Sequence, residues 1–353
     1  MGRMGSEGEG GRIIAGRYRL RARLGRGGMS VVWQATDELL GRQVAVKEIA
    51  QDDSRSAAEA RSRREGTLRE ARALAQLRHP HVIVVHDVVE DDERPYIVME
   101  LIDGGSLADR IAGHGPVDAY EAARIGIALL GALRAVHAAG VLHRDLTPAN
   151  VLIESGTGRV VLTDFGVAHV EGASTLTESG SFVGSPEYTA PERISGSGTG
   201  PASDLWSLGV LLCTAVSGSS PFHRDSLGGI LHAVLSDEIR PPAQTGPLLP
   251  VVQGLMERDP QRRLDAAQAE RMLRAFRETG RTPSAPSRAQ RSSRDRLVTA
   301  LLVAAMAAAG LSAVALLLSG GGGGGGGAPV SPAPSTSVST TGTTPSPSPS
   351  PST

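Results

Sequence analysis

The sequence predicts an α+β fold in two lobes, and three observations carry that expectation. Short β-branched runs crowd the first third of the chain, between residues 31 and 101. Longer stretches with apolar residues every three or four positions dominate from residue 119 onward. With 353 residues, 40% of them hydrophobic, the chain can bury one large core or two modest ones. A strand-rich part joined to a helix-rich part is the α+β pattern.

Taken in order, residues 1–16 are Gly-rich and polar and are expected to be a disordered N-terminal arm. The start "MGRMGS" fits a myristoylation pattern at Gly2 with Ser6, but the Arg- and Ala-rich composition suggests a GC-rich bacterial source, which favours a plain flexible arm. A globular domain is expected over 17–276, with an N-lobe over about 17–100 and a C-lobe over about 101–276. In the N-lobe "VVWQAT", "QVAVKEI", "HVIVVHDVV" and "PYIVMEL" read as strands, interrupted by one helix, "AEARSRREGTLREARALAQL". In the C-lobe "AYEAARIGIALLGALRAVHAAG" and "SDLWSLGVLLCTAVSG" read as helices.

Beyond this domain the composition changes. Residues 277–296 form an Arg/Ser/Pro-rich linker with six arginines and two acidic residues. Residues 297–318 then run for 22 positions without a charge, long enough at 1.5 Å per residue to cross a hydrocarbon core of about 30 Å as one transmembrane helix. Arginines precede the span and none follows, so the positive-inside rule places the globular domain in the cytoplasm. The Gly/Pro/Ser/Thr-rich tail, 319–353, is then extracytoplasmic and cannot build a core. The expected location is therefore the cell membrane, with a single pass. Ala305, Ala309 and Ala313 recur every four residues in the span, a stripe that would allow a homodimer.

Charge and cysteine content exclude other classes. The formal net charge is −1, so nothing points to nucleic acid as a partner. The single cysteine, Cys213, rules out an internal disulfide and reads as a small core residue. Lys47 is the sole lysine among 36 basic residues. A chain that uses arginine everywhere else keeps a lysine where a planar guanidinium will not serve, such as a point contact to phosphates.

Upstream of Lys47 lies "LGRGGMSVV", with Leu24, Gly25, Gly27 and Gly28 leading into the strand that carries Val32. Such glycines let backbone amides approach phosphates, although Ser30 stands where a third glycine is usual. Further on come "HRDLTPAN" (143–150), "TDFGVA" (163–168), "GSPEYTAPE" (184–192), "SDLWSLGV" (203–210) and "RDPQRR" (258–263), in that order. Over roughly residues 18–276 these motifs together resemble the protein-kinase superfamily, in particular the membrane-anchored, receptor-like bacterial Hanks-type Ser/Thr kinases.

The resemblance implies the two-lobed protein-kinase fold and transfer of the γ-phosphoryl group of ATP to protein Ser/Thr hydroxyls. It implies Asp145 as the base for the substrate hydroxyl, and Asn150 and Asp164 as ligands of Mg²⁺, or of Mn²⁺ in its place. Glu70 would pair with Lys47. Adenine would lie between Val32 and Ala45 above and Leu152 below, against hinge backbone at Glu100 and Ile102, with Met99 as gatekeeper. Leu74, His143 and Phe165 would stack between the lobes, Asp204 would anchor the catalytic loop, and Glu192 would pair with Arg263. Arg144 offers a cation to a phosphorylated activation loop, where Thr175, Thr177 and Ser179 are the expected sites of autophosphorylation in trans, among the hydroxyls that also include Ser174 and Ser181.

Thr147 departs from the family pattern, which has a lysine there beside the γ-phosphate. Its loss should cost about 2–4 kcal/mol of transition-state stabilisation, by analogy with removing one preorganised donor. An active, slow kinase is the favoured expectation. The alternative is a nucleotide-binding, membrane-tethered pseudokinase scaffold.

Overall fold

The structure, a computed structural model, describes residues 11–27, 30–49, 57–92, 94–165, 182 and 184–283. In the N-lobe, β1 (Ile13–Ile14), β2 (Tyr18–Gly27), β3 (Ser30–Asp37), β4 (Arg42–Ile49), β5 (Val85–Asp91) and β6 (Arg94–Met99) form one antiparallel sheet in the order β1-β2-β3-β4-β6-β5. Helix α1 (Ala57–Gln76) joins β4 to β5 and buries Thr67, Leu68, Ala71 and Leu74, a stripe at helical spacing.

Strand alternation assigns the two faces of this sheet. Val44 and Val46 join Tyr18, Leu20, Trp33, Tyr96 and Val98 in an outer cluster. Ala45 and Ile49 point the other way, into a larger core that holds Leu74, Val85 and Met99 and continues through the C-lobe. Lys47, two residues from each, shares that inner face, which is how a charged side chain reaches the cleft.

The C-lobe contains α2 (Leu107–His114), α3 (Ala119–Ala138), the hairpin of β7 (Val151–Ile153) and β8 (Val160–Leu162), α4 (Pro191–Ile194), α5 (Pro201–Ser217), α6 (Leu227–Leu235), α7 (Leu249–Leu255) and α8 (Ala266–Thr279). Helix α5 is apolar around most of its circumference and is buried from Ser203 to Val216, Cys213 included. It carries the core of the lobe.

Three expectations are corrected. The arm does not extend to residue 16: Ile13 and Ile14 pair with Arg19 and Tyr18, and Ile14 is fully buried, so an apolar pair in a polar stretch was enough to add an edge strand. The run "HVIVVHDVV" is not one strand. Its first half leaves the sheet, with Ile83 N–H donating to Leu162 and Leu162 N–H to His81, so these residues tie the N-lobe to β8. Helix α8 continues past residue 276 and ends at Gly280, whose φ of +71° suits the left-handed cap. Among the described residues no helix is long and apolar enough to cross a membrane. The expected span 297–318, the tail 319–353 and the stripe at Ala305, Ala309 and Ala313 lie outside the described residues.

Candidate active site

The loop after α3 is built on a buried carboxylate. Asp204, in the first turn of α5, accepts the backbone N–H groups of His143 and Arg144, both at 2.9 Å, and Nε2–H of His137 at 2.7 Å. Burial alone would raise its pKa, but the hydrogen bond from His137 and the peptide donor outweigh it, and the carboxyl is held below the usual range. These bonds support a costly backbone: Arg144 has φ of +67°, a region disfavoured for side chains with a Cβ and common at functional sites. Burial lowers the pKa of His143, and its neutral ring donates Nε2–H to the Thr163 carbonyl at 2.8 Å. Its Nδ1 receives the Asp145 N–H at 3.4 Å.

Asn150 closes the loop by donating Nδ2–H to the backbone oxygen of Asp145 at 2.7 Å and to its Oδ2 at 3.2 Å. With its amide nitrogen so committed, the side-chain oxygen of Asn150 is the end that can take a cation. Asp164 follows β8 with φ of +56°, and its Oδ1 lies 3.0 Å from Lys47 Nζ. Lys47, Asp164, Asn150 and Asp145 thus line one cleft from three separate segments, β4, the turn after β8 and the loop after α3.

The expected Lys47–Glu70 pair is not formed. Glu70 Oε1 accepts from Arg144 Nη1 at 2.6 Å, while Lys47 holds Asp164. The reason is electrostatic. The Arg144 side chain is only 7% exposed, and a buried guanidinium requires a carboxylate close by. Glu70 lies within its reach across the cleft, so Lys47 takes Asp164.

Around these charges the cleft is apolar. Ala45 and Met99 are opposite each other in the β4–β6 register, and Val32 is opposite Lys47. Val32, Ile102 and Leu152 are half-buried against the large core. A small cavity behind Lys47 is lined by Ala71, Leu74, Ile97, Met99 and Phe165. Leu74, His143 and Phe165 belong to the same core, with the His143 and Phe165 rings 4.9 Å apart.

Glu100 turns its carboxylate away from the cleft, accepting from Val84 N–H at 2.9 Å and from Arg159 at 2.7 Å. Leu24 and Gly25 are exposed at the end of β2, and Gly27 pairs with Ser30. Among the described residues, a Cβ on Gly25 would meet nothing within 4 Å. Packing within the chain therefore does not demand glycine there, which fits a strand edge that must admit a phosphate chain. Gly28, Thr175, Thr177 and Ser179 lie outside the described residues, as do Ser174 and Ser181.

Supporting contacts complete the site. Arg263 grips Glu192 with two bonds of 2.7 and 2.9 Å, Ser203 adds a third at 2.8 Å, and the Arg263 side chain is fully buried. Thr147 is buried and precedes the 3₁₀ turn Pro148–Asn150 without capping it by its side chain. Three residues that sequence reasoning did not single out also matter. They are His137 on Asp204, Arg159 on the hinge residue Glu100, and Arg193, which donates to the Arg144 carbonyl. His137 had a readable signal, an imidazole six residues before His143 at the end of a helix. The other two did not, because arginine is this chain's general-purpose cation.

This cleft and its order of elements match a known domain. A family model for the protein kinase domain matches residues 18–273. The chain belongs to the protein kinase family. Among curated kinases it is 39% identical to the serine/threonine-protein kinase PknA of Mycobacterium tuberculosis over 242 residues, 67% of this chain and 54% of that one. It is 39% identical to the probable serine/threonine-protein kinase PknB of Lactococcus lactis over 218 residues, 61% of this chain and 34% of that one. To the serine/threonine-protein kinase PkaA of Streptomyces coelicolor it is 36% identical over 280 residues, 76% and 51% of the two chains. The matched part of the kinase thus spans between a third and about half the length of these relatives.

Among the described residues no three His, Cys, Asp or Glu side chains cluster as a metal site. Asn150 and Asp164 supply two hard oxygens, which suits a cation such as Mg²⁺ that keeps waters and shares phosphate oxygens.

Proposed function

We propose that the chain is an ATP-dependent protein serine/threonine kinase. The observation that carries this reading is the convergence of Asp145, Asn150, Asp164 and Lys47 in one cleft, with Asn150 bonded to Asp145 and Lys47 to Asp164. The substrate hydroxyl oxygen forms a bond to the γ-phosphorus of ATP as the bond to the β,γ-bridging oxygen breaks. ADP leaves, and the hydroxyl proton passes to the Asp145 carboxylate. Asn150 keeps that carboxylate oriented, and Lys47 holds the α- and β-phosphates as a compact charge. Mg²⁺, or Mn²⁺, held by Asn150 and Asp164, would neutralise charge that develops on the phosphates.

For this chemistry the two ion pairs must exchange. Asp164, with Asn150, would then be free to hold the cation, Lys47 would pair with Glu70, and a phosphate on the activation loop would take the place of Glu70 at Arg144. Thr175, Thr177 and Ser179 are the proposed phosphosites, modified in trans by a second copy of the chain. Residues 297–318 anchor the protein in the cell membrane by a single pass, with the kinase domain cytoplasmic and the tail extracytoplasmic. The charge asymmetry of the flanks supports this orientation.

The full chain in detergent micelles, given Mg-ATP, should incorporate phosphate on Thr175, Thr177 or Ser179, mapped by mass spectrometry. Lys47→Met and Asp145→Asn should abolish it. Recovery in the detergent-extracted membrane fraction, and not in a carbonate wash, tests the anchor. Thr147 favours a second reading, a nucleotide-binding pseudokinase scaffold. A folded chain that binds nucleotide and transfers no phosphate would establish it.

A further inference from the structure

Thr147 takes a cation away from the catalytic loop, yet the structure holds another directly beneath that loop. Arg193, in α4, is buried, and its Nη1 donates to the carbonyl oxygen of Arg144, the residue before Asp145. Burial pushes its pKa down, while the charges of Asp204 and Asp145 act in the opposite sense. A guanidinium starts so high that it stays charged throughout. Asp145 is therefore within the field of a fixed positive charge that is held at the carbonyl of the residue before it.

That charge is also rigidly presented. Glu192, its neighbour, is clamped by Arg263 and Ser203, and Ser195 closes the turn onto Pro191 at 3.0 Å. A cation whose position is set before the reaction contributes more to a developing charge than one that must be ordered during it. An apolar side chain could have filled the same space beneath the loop without the cost of burying a charge.

We propose that Arg193 is a positioning residue that stands in for the missing loop lysine. It holds the Arg144–Asp145 backbone through the Arg144 carbonyl and adds a fixed positive charge to the surroundings of Asp145, as a lysine at position 147 would do. The inference rests on the phosphoryl-transfer reading above.

The test is a double-mutant cycle on the full chain in micelles, with Mg-ATP and casein, recording kcat, KM for ATP and the unfolding midpoint. Arg193→Met should lower kcat by about 30-fold or more and move KM for ATP by less than about threefold. Thr147→Lys should raise kcat about tenfold more in the Arg193→Met background than in the wild type. A merely structural arginine predicts instead a lower unfolding midpoint that Thr147→Lys does not repair, and an equal effect of Thr147→Lys in both backgrounds. That additive result would overturn the proposal. If Arg193→Met does not fold, the same cycle is run with Arg193→Gln, which removes the charge but can still donate to the Arg144 carbonyl. A wild type that is silent until Thr147→Lys activates it overturns the proposal alone. Silence of both withdraws the kinase reading and this inference with it.

Discussion

The loop of residues 141–150 and helix α1 face each other across the cleft, but they are fixed by different interactions. The loop hangs on peptide N–H groups that reach one buried carboxylate, Asp204, and on a neutral histidine wedged against Thr163. Helix α1 contributes to the site through one carboxylate, Glu70, whose partner is a matter of which cation is nearest. Peptide bonds to a buried acceptor have no alternative partner, whereas ion pairs can be exchanged at small cost. The catalytic loop is therefore a fixed part, and Glu70, Lys47 and Asp164 are the parts that rearrange.

The largest effect should come from breaking the fixed part. Asp204→Ala leaves two peptide N–H groups without their acceptor and removes the support for Arg144 at φ +67°. We expect kcat/KM to fall by about 10³-fold or more, roughly 4 kcal/mol of transition-state stabilisation. Hydrogen exchange of the His143 and Arg144 amides, slow in the wild type, should become fast. Unchanged protection would show that the loop is held by something other than Asp204.

Next in size is the pair that carries α4. Arg263→Met strips the counter-charge from Glu192 in a buried setting and should cost about 3–5 kcal/mol of folding stability, read from denaturant midpoints. Adding Glu192→Leu should recover part of that loss, because the uncompensated charge goes with it. A double variant worse than the single one would mean that the pair supports stability beyond mutual neutralisation.

The exchangeable part should respond differently. Glu70→Gln removes a partner of Arg144 in the observed arrangement and the proposed partner of Lys47 in the reacting one. We expect kcat/KM for ATP to fall by about 10- to 100-fold, roughly 1.4–2.7 kcal/mol, with a smaller loss of folding stability than Arg263→Met causes, since Glu70 is more exposed than Glu192 and a glutamine oxygen can still accept from Arg144. A large drop in the unfolding midpoint would place Glu70 with the fixed parts and remove the contrast.

The same contrast explains what could be read in the sequence. The runs around Val44 to Ile49, and the helices over 57–76, 119–138 and 201–217, follow from alternation and helical spacing, because burial imposes those periods. Asp204 on the loop and Arg263 on Glu192 were legible because their motifs encode contacts with one solution. The Glu70 pairing was not, since spacing brings Glu70 near both Lys47 and Arg144 and only the burial of Arg144 decides between them. The strand at Ile13 and Ile14 is two residues long and has no period to detect. Arg193 was hidden by composition: one arginine among 35 carries no signal until its surroundings are known.

The smallest expected effect is a pH dependence that belongs to the fixed part. His143 has its pKa lowered by burial, so the folded chain holds it neutral where the unfolded chain, near pH 6.5, takes up a proton. Its contribution to stability is complete above that pH and is lost as pH falls towards the depressed folded value. Asp204 and Glu192, also lowered, add a second loss at more acidic pH. Half-buried His79 and exposed His86 shift in the same direction as His143, so the upper limb has three sources, of which fully buried His143 is expected to be the largest. Unfolding midpoints of the wild type should therefore fall between pH 7 and pH 5. In His143→Phe the midpoint should be lower at pH 7, for want of the bond to Thr163, but should fall less over the same range. An unchanged slope would mean that His143 is not the proton acceptor on unfolding, and that the loop's neutrality is not what holds it.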